Sequence, residues 1–342
     1  MSKIPKLNKF KETFQKKLAL LQADSSNAQN TGSLTTVFLK ELSDQLSSSR
    51  FFILFSLIAI TGIVSFYSAA SNIRGTTEDA VANFVLIRLF TTSGSSLPSF
   101  TWFLSILGPL VGLSMGFDAI NSEQNSGTMT RLLAQPIYRD DVINGKFLAR
   151  LFVLVLMTLA LGFFVAGMGI IITGVPPSSE EVIRLLLYLA LSIVYMAFWL
   201  ALAMLFSLIF RQPATSALCG ISLWLFFSIF VPILAGMVAD AIFPLSKNAD
   251  ALTQLYNVRV SQGLSRLSPS TLYSEAAVTL LSPSVRTLGP ILLEQVYGAI
   301  SGFLPLGQSL LLIWPHITGL VAGTLLIFGI TYTLFLRQEI RA

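Results

Sequence analysis

Apolar residues gather into six long runs, at about 51–70, 101–118, 148–173, 184–209, 215–239 and 311–335. A helix needs about 20 apolar residues to cross a hydrocarbon core of about 30 Å, and each run meets or approaches that length. The pattern predicts an all-α integral membrane fold with six transmembrane helices. An even number of crossings puts both termini on one side. The first run begins only near Phe51, too late and too long for a secretory signal peptide.

Ahead of the runs the pattern changes to helical amphipathicity. Leu7, Phe10, Phe14, Leu18 and Leu21 recur at helical spacing, with Lys6, Lys9, Lys11, Lys16 and Lys17 between them. This basic helix either lies on anionic lipid headgroups or forms a solvated tail. A Ser/Asn/Gln-rich linker, Asp24 to Ser33, follows. A second amphipathic stretch then carries Phe38, Leu39, Leu42 and Leu46 on one face and leads into the first run. The chain therefore divides into an N-terminal amphipathic region, 1–50, and a transmembrane domain, 51–342.

Pro109, Pro232 and Pro315 fall inside runs, where a missing N–H frees a backbone carbonyl and favours a kink. Gly108, Gly112 and Gly116 recur every four positions, as do Gly319 and Gly323, a spacing that lets helix backbones approach closely. Packing within the chain accounts for it better than a dedicated dimer seam. The large loop at 240–310 is amphipathic. Ser268 followed by Pro269 predicts a helix start, running through Tyr273 and Ala277 and stopping before Pro283. Short helices at, or dipping into, the outer interface are expected there. The short apolar stretch Phe84–Phe90, which carries Arg88, is expected on the outer interface rather than across the membrane, and Ile291–Ile300 is a candidate re-entrant stretch.

Composition agrees with lipid as the main solvent, at 54% hydrophobic and 11% charged residues. The net charge of +5 does not point to nucleic acid. Fifteen of the 22 Lys and Arg fall on the side shared by the termini. Four of the other seven lie in the long 240–310 loop, where they count little towards orientation. Both termini are therefore expected in the cytoplasm, and the chain in the plasma membrane of a prokaryote. The lone Cys219 and lone His316 make neither a disulfide framework nor a zinc site. Within these boundaries the ionisable side chains near a span are Arg184 and His316, each close to an end, whereas an ion-coupled carrier places such groups near the midplane. His316 is read as a local hydrogen-bonding residue and Asp118 as a membrane-boundary residue. Asp140 and Asp141 lack further ligand residues nearby in sequence.

The most informative segment joins the second and third runs, 119–150. Thr128 to Gln135 reads as a short helix stopped at Pro136, with Met129, Leu132 and Leu133 as an apolar knob. In order, the segment holds Glu123, Gly127-Thr128, Leu132-Leu133 with Pro136-Ile137 beyond, Arg139 and Gly145-Lys146. This ordered set resembles the ABC-type-2 permease family, the membrane subunits of ATP-driven exporters. The Lys40-Glu41-Leu42 lead-in, the six runs, the large loop before the last and the closing Arg337-Gln338-Glu339-Ile340-Arg341 extend the resemblance.

The resemblance implies a coupling helix that docks into a nucleotide-binding ATPase subunit, with ATP and Mg bound there and no cofactor in this chain. Met129, Leu132 and Leu133 would fill a groove, Arg131 and Arg139 would meet acidic rim residues, and Glu123 would fix the start of the helix. It further implies a second permease copy or homologue. Gly302 to Ser309 has P-loop glycine spacing, but Gln308 stands where a phosphate-binding lysine is needed. Two other readings remain. A scaffold would use the same coupling helix to remodel an extracellular partner through the 240–310 loop. A lipid-modifying enzyme would need converging Asp, His or Lys side chains, which the sequence does not gather.

Overall fold

The computed structural model describes residues 33–75, 84–92, 98–128, 137–245, 250–283 and 303–337. The basic stretch at 7–21 and the apolar stretch at 291–300 lie outside them. Twelve α-helices are described: α1 (Ser33–Ser47), α2 (Ser49–Gly75), α3 (Val85–Thr91), α4 (Phe100–Gly116), α5 (Asn121–Asn125), α6 (Arg139–Thr173), α7 (Ser179–Ile209), α8 (Pro213–Leu225), α9 (Val231–Ile242), α10 (Ala251–Ser265), α11 (Pro269–Leu281) and α12 (Leu306–Arg337). Six helical segments are long and apolar enough to cross a membrane: α2, α4 with α5, α6, α7, α8 with α9, and α12.

Several spans outrun their apolar stretches, and local chemistry explains how. Helix α7 starts at a capping box, in which Ser178 accepts from the Glu181 N–H and Glu181 accepts from the Ser178 N–H. Glu181 also accepts from Leu86 N–H at 2.9 Å, fastening the start of α3. Helix α6 runs 35 residues and stops at Gly174, whose φ of 69° suits glycine. The fifth span is interrupted by a π-helical turn, Phe226–Phe230, directly before Pro232. Pro232 cannot donate to the preceding turn, and the widened turn accommodates that loss. Pro109 and Pro315 lie within otherwise continuous helices.

Helix α7 is the hub, packed by α4, α6, α8, α11 and α12. Its most apolar stretch is 67% buried, against 6% for the fifth span, which lies along the outside of the bundle. The repeated glycines serve this interior. A Cβ on Gly112 would lie 2.5 Å from Met196 O, and one on Gly116 would lie 2.7 Å from Ala203 Cβ. Gly323 likewise faces Phe198. The glycine spacing is thus used within the chain.

Two cores result. One joins α1, α4, α6, α7 and the end of α12 through Leu42, Ile120, Val142, Ile143, Leu200 and Phe335. The other, at the opposite end, centres on Tyr188, Tyr195, Trp199 and Tyr273. The ends of the bundle are called below the α1 face and the α11 face.

Helix α11 begins at Pro269 as the sequence predicts and is inserted among α7, α12, α4 and the π turn, with Tyr273 and Ala276 fully buried. Helix α3 also packs into the bundle. Its seven residues are too few to cross, yet Leu86, Ile87, Leu89 and Phe90 are buried against the core. Arg184, fully buried, ties these parts together. It donates to Glu180, to the carbonyls of Leu280 and Leu304, and to Ser309 Oγ. His316 Nε2 meets Glu275 Oε2 at 2.7 Å, and Arg266 donates to the same oxygen at 2.8 Å. Burial alone would raise the Glu275 carboxyl, but these two partners outweigh it and hold it below the ordinary range. The hydrogen bond expected of His316 therefore reaches across to α11.

Candidate functional site

Amphipathic α1 lays Val37 and Leu42 against α6, and the approach is close because Gly145 sits beneath it: a Cβ there would be 2.7 Å from Val37 Cγ1. The turn of α6 that follows that contact brings charged groups together. Lys146 Nζ donates to Glu41 Oε1 at 2.7 Å and to Glu123 Oε1 at 2.6 Å. Arg150 donates from Nη1 to Glu41 Oε2 at 3.0 Å and from Nε to the Met115 carbonyl at 2.9 Å. Glu41, Lys146 and Arg150 are buried, the lysine side chain being only 1% exposed. Lys40 lies 3.9 Å from both glutamates, at the rim.

Two carboxylates thus face two buried cations, a balance that makes burial of the group tolerable. For Glu41, burial alone would raise the carboxyl, but Arg150 and Lys146 together outweigh it and hold it below the ordinary range. Arg150 falls inside the third apolar run, yet the sequence reading named only Arg184 and His316 as ionisable groups near spans. Spacing gives no sign of this cluster, because Glu41 is 105 and 109 residues from its two cations.

The segment after α4 is fixed on its other flank by polar contacts. Ser207 Oγ accepts from the N–H groups of Ile120 and Asn121. The Asn121 amide donates to Phe210 O, and Asn125 to Arg211 O. Arg50, at the start of the first span, pairs with Asp118 and lies over the Phe117 ring at 5.2 Å from its centroid. Asp118 therefore anchors a helix end.

Of the sequence-predicted site residues, the structure brings Glu123 into the ion cluster. Gly127 turns the chain out with φ 69°, a left-handed conformation that favours glycine, and Thr128 Oγ1 donates to the Glu123 carbonyl. Gly127, Thr128 and Arg139, the first residue of α6, are exposed on the α1 face. Met129, Arg131, Leu132, Leu133 and Pro136 lie outside the described residues. The excursion from Thr128 to Arg139 leaves from Glu123 and returns into α6 two turns before Lys146. Both ends of the segment are thus tied to one charged cluster. Among the described residues no group of three or more His, Cys, Asp or Glu could hold a metal ion. Gln308 and Ser309 lie within the first turn of helix α12, and Gly302, which opens the P-loop-like spacing, lies outside the described residues.

Six membrane-crossing helices, with a loop anchored by charge to the first two elements of the domain and to its longest span, define a multi-pass membrane subunit of the transporter type. The model of the ABC-2 family transporter proteins matches residues 35–340, and the chain belongs to that family as a permease subunit. It is also similar to two curated relatives described as probable ABC transporter permease protein NosY. The one from Pseudomonas aeruginosa is 30% identical over 198 residues, covering 56% of this chain and 66% of that protein. The one from Stutzerimonas stutzeri is 31% identical over 134 residues, covering 38% of this chain and 43% of that protein. The chain thus matches less than two thirds of the length of either relative.

Proposed function

We propose that this chain is the membrane half of an ATP-driven exporter, in which a separate nucleotide-binding subunit hydrolyses ATP and docks on the α1 face. That face is the cytoplasmic one in this reading, as the distribution of Lys and Arg requires. The segment 128–139 is the coupling element. Met129, Leu132 and Leu133 enter a groove of the ATPase, and Arg131 and Arg139 meet acidic groups at its rim. Pro136 ends the helix, while Glu123, Gly127 and Thr128 fix where it begins.

The observation that carries this reading is the Glu41–Lys146–Arg150–Glu123 cluster. It ties the base of the coupling segment to α1 and α6, so a push on the segment moves the second and third spans together. The sparsely buried fifth span leaves an apolar flank for lipid and for a second permease copy.

The test is co-purification of the intact chain and of a Leu132→Asp, Leu133→Asp variant, with bound proteins identified and ATPase activity assayed. The intact chain is expected to bring down a P-loop ATPase that the folded variant loses. A well-folded intact chain with no ATPase would overturn the reading. ATPase activity that reconstitutes without moving any solute would instead favour a scaffold acting on an extracellular partner.

A further inference from the structure

A cleft of about 420 Å³ opens between α4, the fifth span at its π turn, and α11. Its position is set by two features that are uncommon in membrane helices: the π turn Phe226–Phe230 and the inserted α11. Interrupted helices at such depth are tolerated where they line a cavity, and π turns recur at functional sites. The volume falls in the range of small-molecule pockets, about 300–1,000 Å³.

The walls are apolar and aromatic, through Trp102, Ile106 and Ile229, and no ionisable side chain lines them. The polar groups are hydroxyls backed by a buried tyrosine. Ser228 and Ser270 hydroxyls lie 2.9 Å apart, and the Tyr195 hydroxyl, fully buried, reaches Ser270 Oγ at 3.0 Å and the Ser105 carbonyl at 3.1 Å.

Counting hydrogens decides what this group can do. Tyr195 gives its proton to Ser270 or to the Ser105 carbonyl. One serine hydrogen is used between Ser228 and Ser270. When Tyr195 donates to the Ser105 carbonyl, its oxygen can take the other serine hydrogen; when it donates to Ser270, that hydrogen is left for a ligand. Trp224, also in the wall, has its indole N–H buried without a partner. The serine pair can thus offer one hydroxyl donor, and its oxygens as acceptors, to a space with no cation to hold an anion. Glu275, which follows Ser274 in the chain, is engaged by His316 and Arg266.

We infer that this cleft binds an uncharged amphiphile whose carbonyl, ether or hydroxyl oxygen accepts a hydrogen bond from the Ser228–Ser270 pair while its apolar body packs on Trp102, Trp224 and Ile229. The chemistry is shared by a neutral membrane lipid and by a neutral solute arriving from water. Binding here needs neither ATP nor the ATPase, so its failure and failure of the coupling reading are separate results.

The test uses the full chain in lipid nanodiscs and reads quenching of tryptophan fluorescence. The probes are a diacylglycerol brominated in its acyl chains, a water-soluble nitroxide carrying a neutral amide, and the same nitroxide carrying an amine or a carboxylate. Saturable quenching by a neutral probe is expected, and not by the charged nitroxides. Saturation with the diacylglycerol assigns the lipid source, and with the amide the aqueous one. Ser228→Ala, with an unchanged melting temperature, is expected to raise the half-saturating concentration about tenfold, as loss of one hydrogen bond does; Ser270→Ala is the second variant. Quenching that is linear for every probe, equal for neutral and charged ones, absent, or unchanged by Ser228→Ala would overturn the assignment.

Discussion

Replacing Glu41 by Leu removes the carboxylate that joins α1 to the third span. Lys146 keeps Glu123 at 2.6 Å, so it remains paired. Arg150 does not: its other partners are the carbonyls of Met115 and Lys146, and its charge stays buried without a counter-ion. Breaking a buried pair from one side costs about 3–5 kcal/mol, a drop of at least a hundredfold in the folded-to-unfolded ratio. Arg150→Met strands less, because Glu41 still has Lys146. The double variant Glu41→Leu, Arg150→Met leaves the neutral Lys146–Glu123 pair intact. It is expected to cost about 2 kcal/mol less than the sum of the single variants, within the range seen for residues in contact. Equilibrium unfolding in mixed detergent micelles, followed by tryptophan fluorescence, gives all three values. Additivity within about 0.5 kcal/mol, or a Glu41→Leu cost under about 1 kcal/mol, would show that the cluster does not hold the two elements together.

The same cluster sets an acid limit. The Glu41 carboxyl titrates below the ordinary glutamate value of 4.5, so its stabilising contribution is complete above that pH and is lost as pH falls through the lower, folded-state value. Asp44, raised from 3.8 by burial, works in the opposite sense and gains stability on protonation. Unfolding midpoints measured from pH 7 down to 3 should fall below pH 4.5 in the intact chain and flatten in Glu41→Leu; equal slopes would contradict the assignment. Gly112→Ala should destabilise by about 1–3 kcal/mol, because its Cβ would meet Met196 O and the Leu200 backbone N and not merely a flexible side-chain end. A melting temperature unchanged from that of the intact chain would refute this.

The six spans were legible because each buries or presents a long apolar run. Their ends were not, since the polar turns Arg139–Phe147 and Ser179–Ile183 are helical through the ion cluster and the Ser178 capping box. The start of α11 was legible in Ser268-Pro269. Its depth stayed open between lying at the interface and dipping into it, because an interfacial helix and an inserted one share the pattern of Tyr273, Ala276, Ala277 and Leu280. The candidate site was half legible: Glu123 and Gly145-Lys146 stood in the ordered pattern, but their convergence on Glu41 depends on α1 folding back onto α6. Nothing in local spacing encodes that return. The cleft went unread for a similar reason, as Ser105, Ser228 and Ser270 look like ordinary helix serines until three elements meet.

Helix α6 and the fifth span make a mechanical contrast. The first is 35 residues without proline, about 52 Å of unbroken helix, gripped at its base by α1 and the charged cluster. It behaves as a stiff lever, and a small tilt at the α1 face reaches its far end, where Gly169 packs under Leu89 of α3, as a larger sideways swing. The fifth span has a joint at Phe226–Pro232, at the level of the cleft, and can bend there without carrying load from end to end. In the proposed function, leverage on one side of the bundle and compliance on the other let a stroke at the base alter the width of a space near the opposite face.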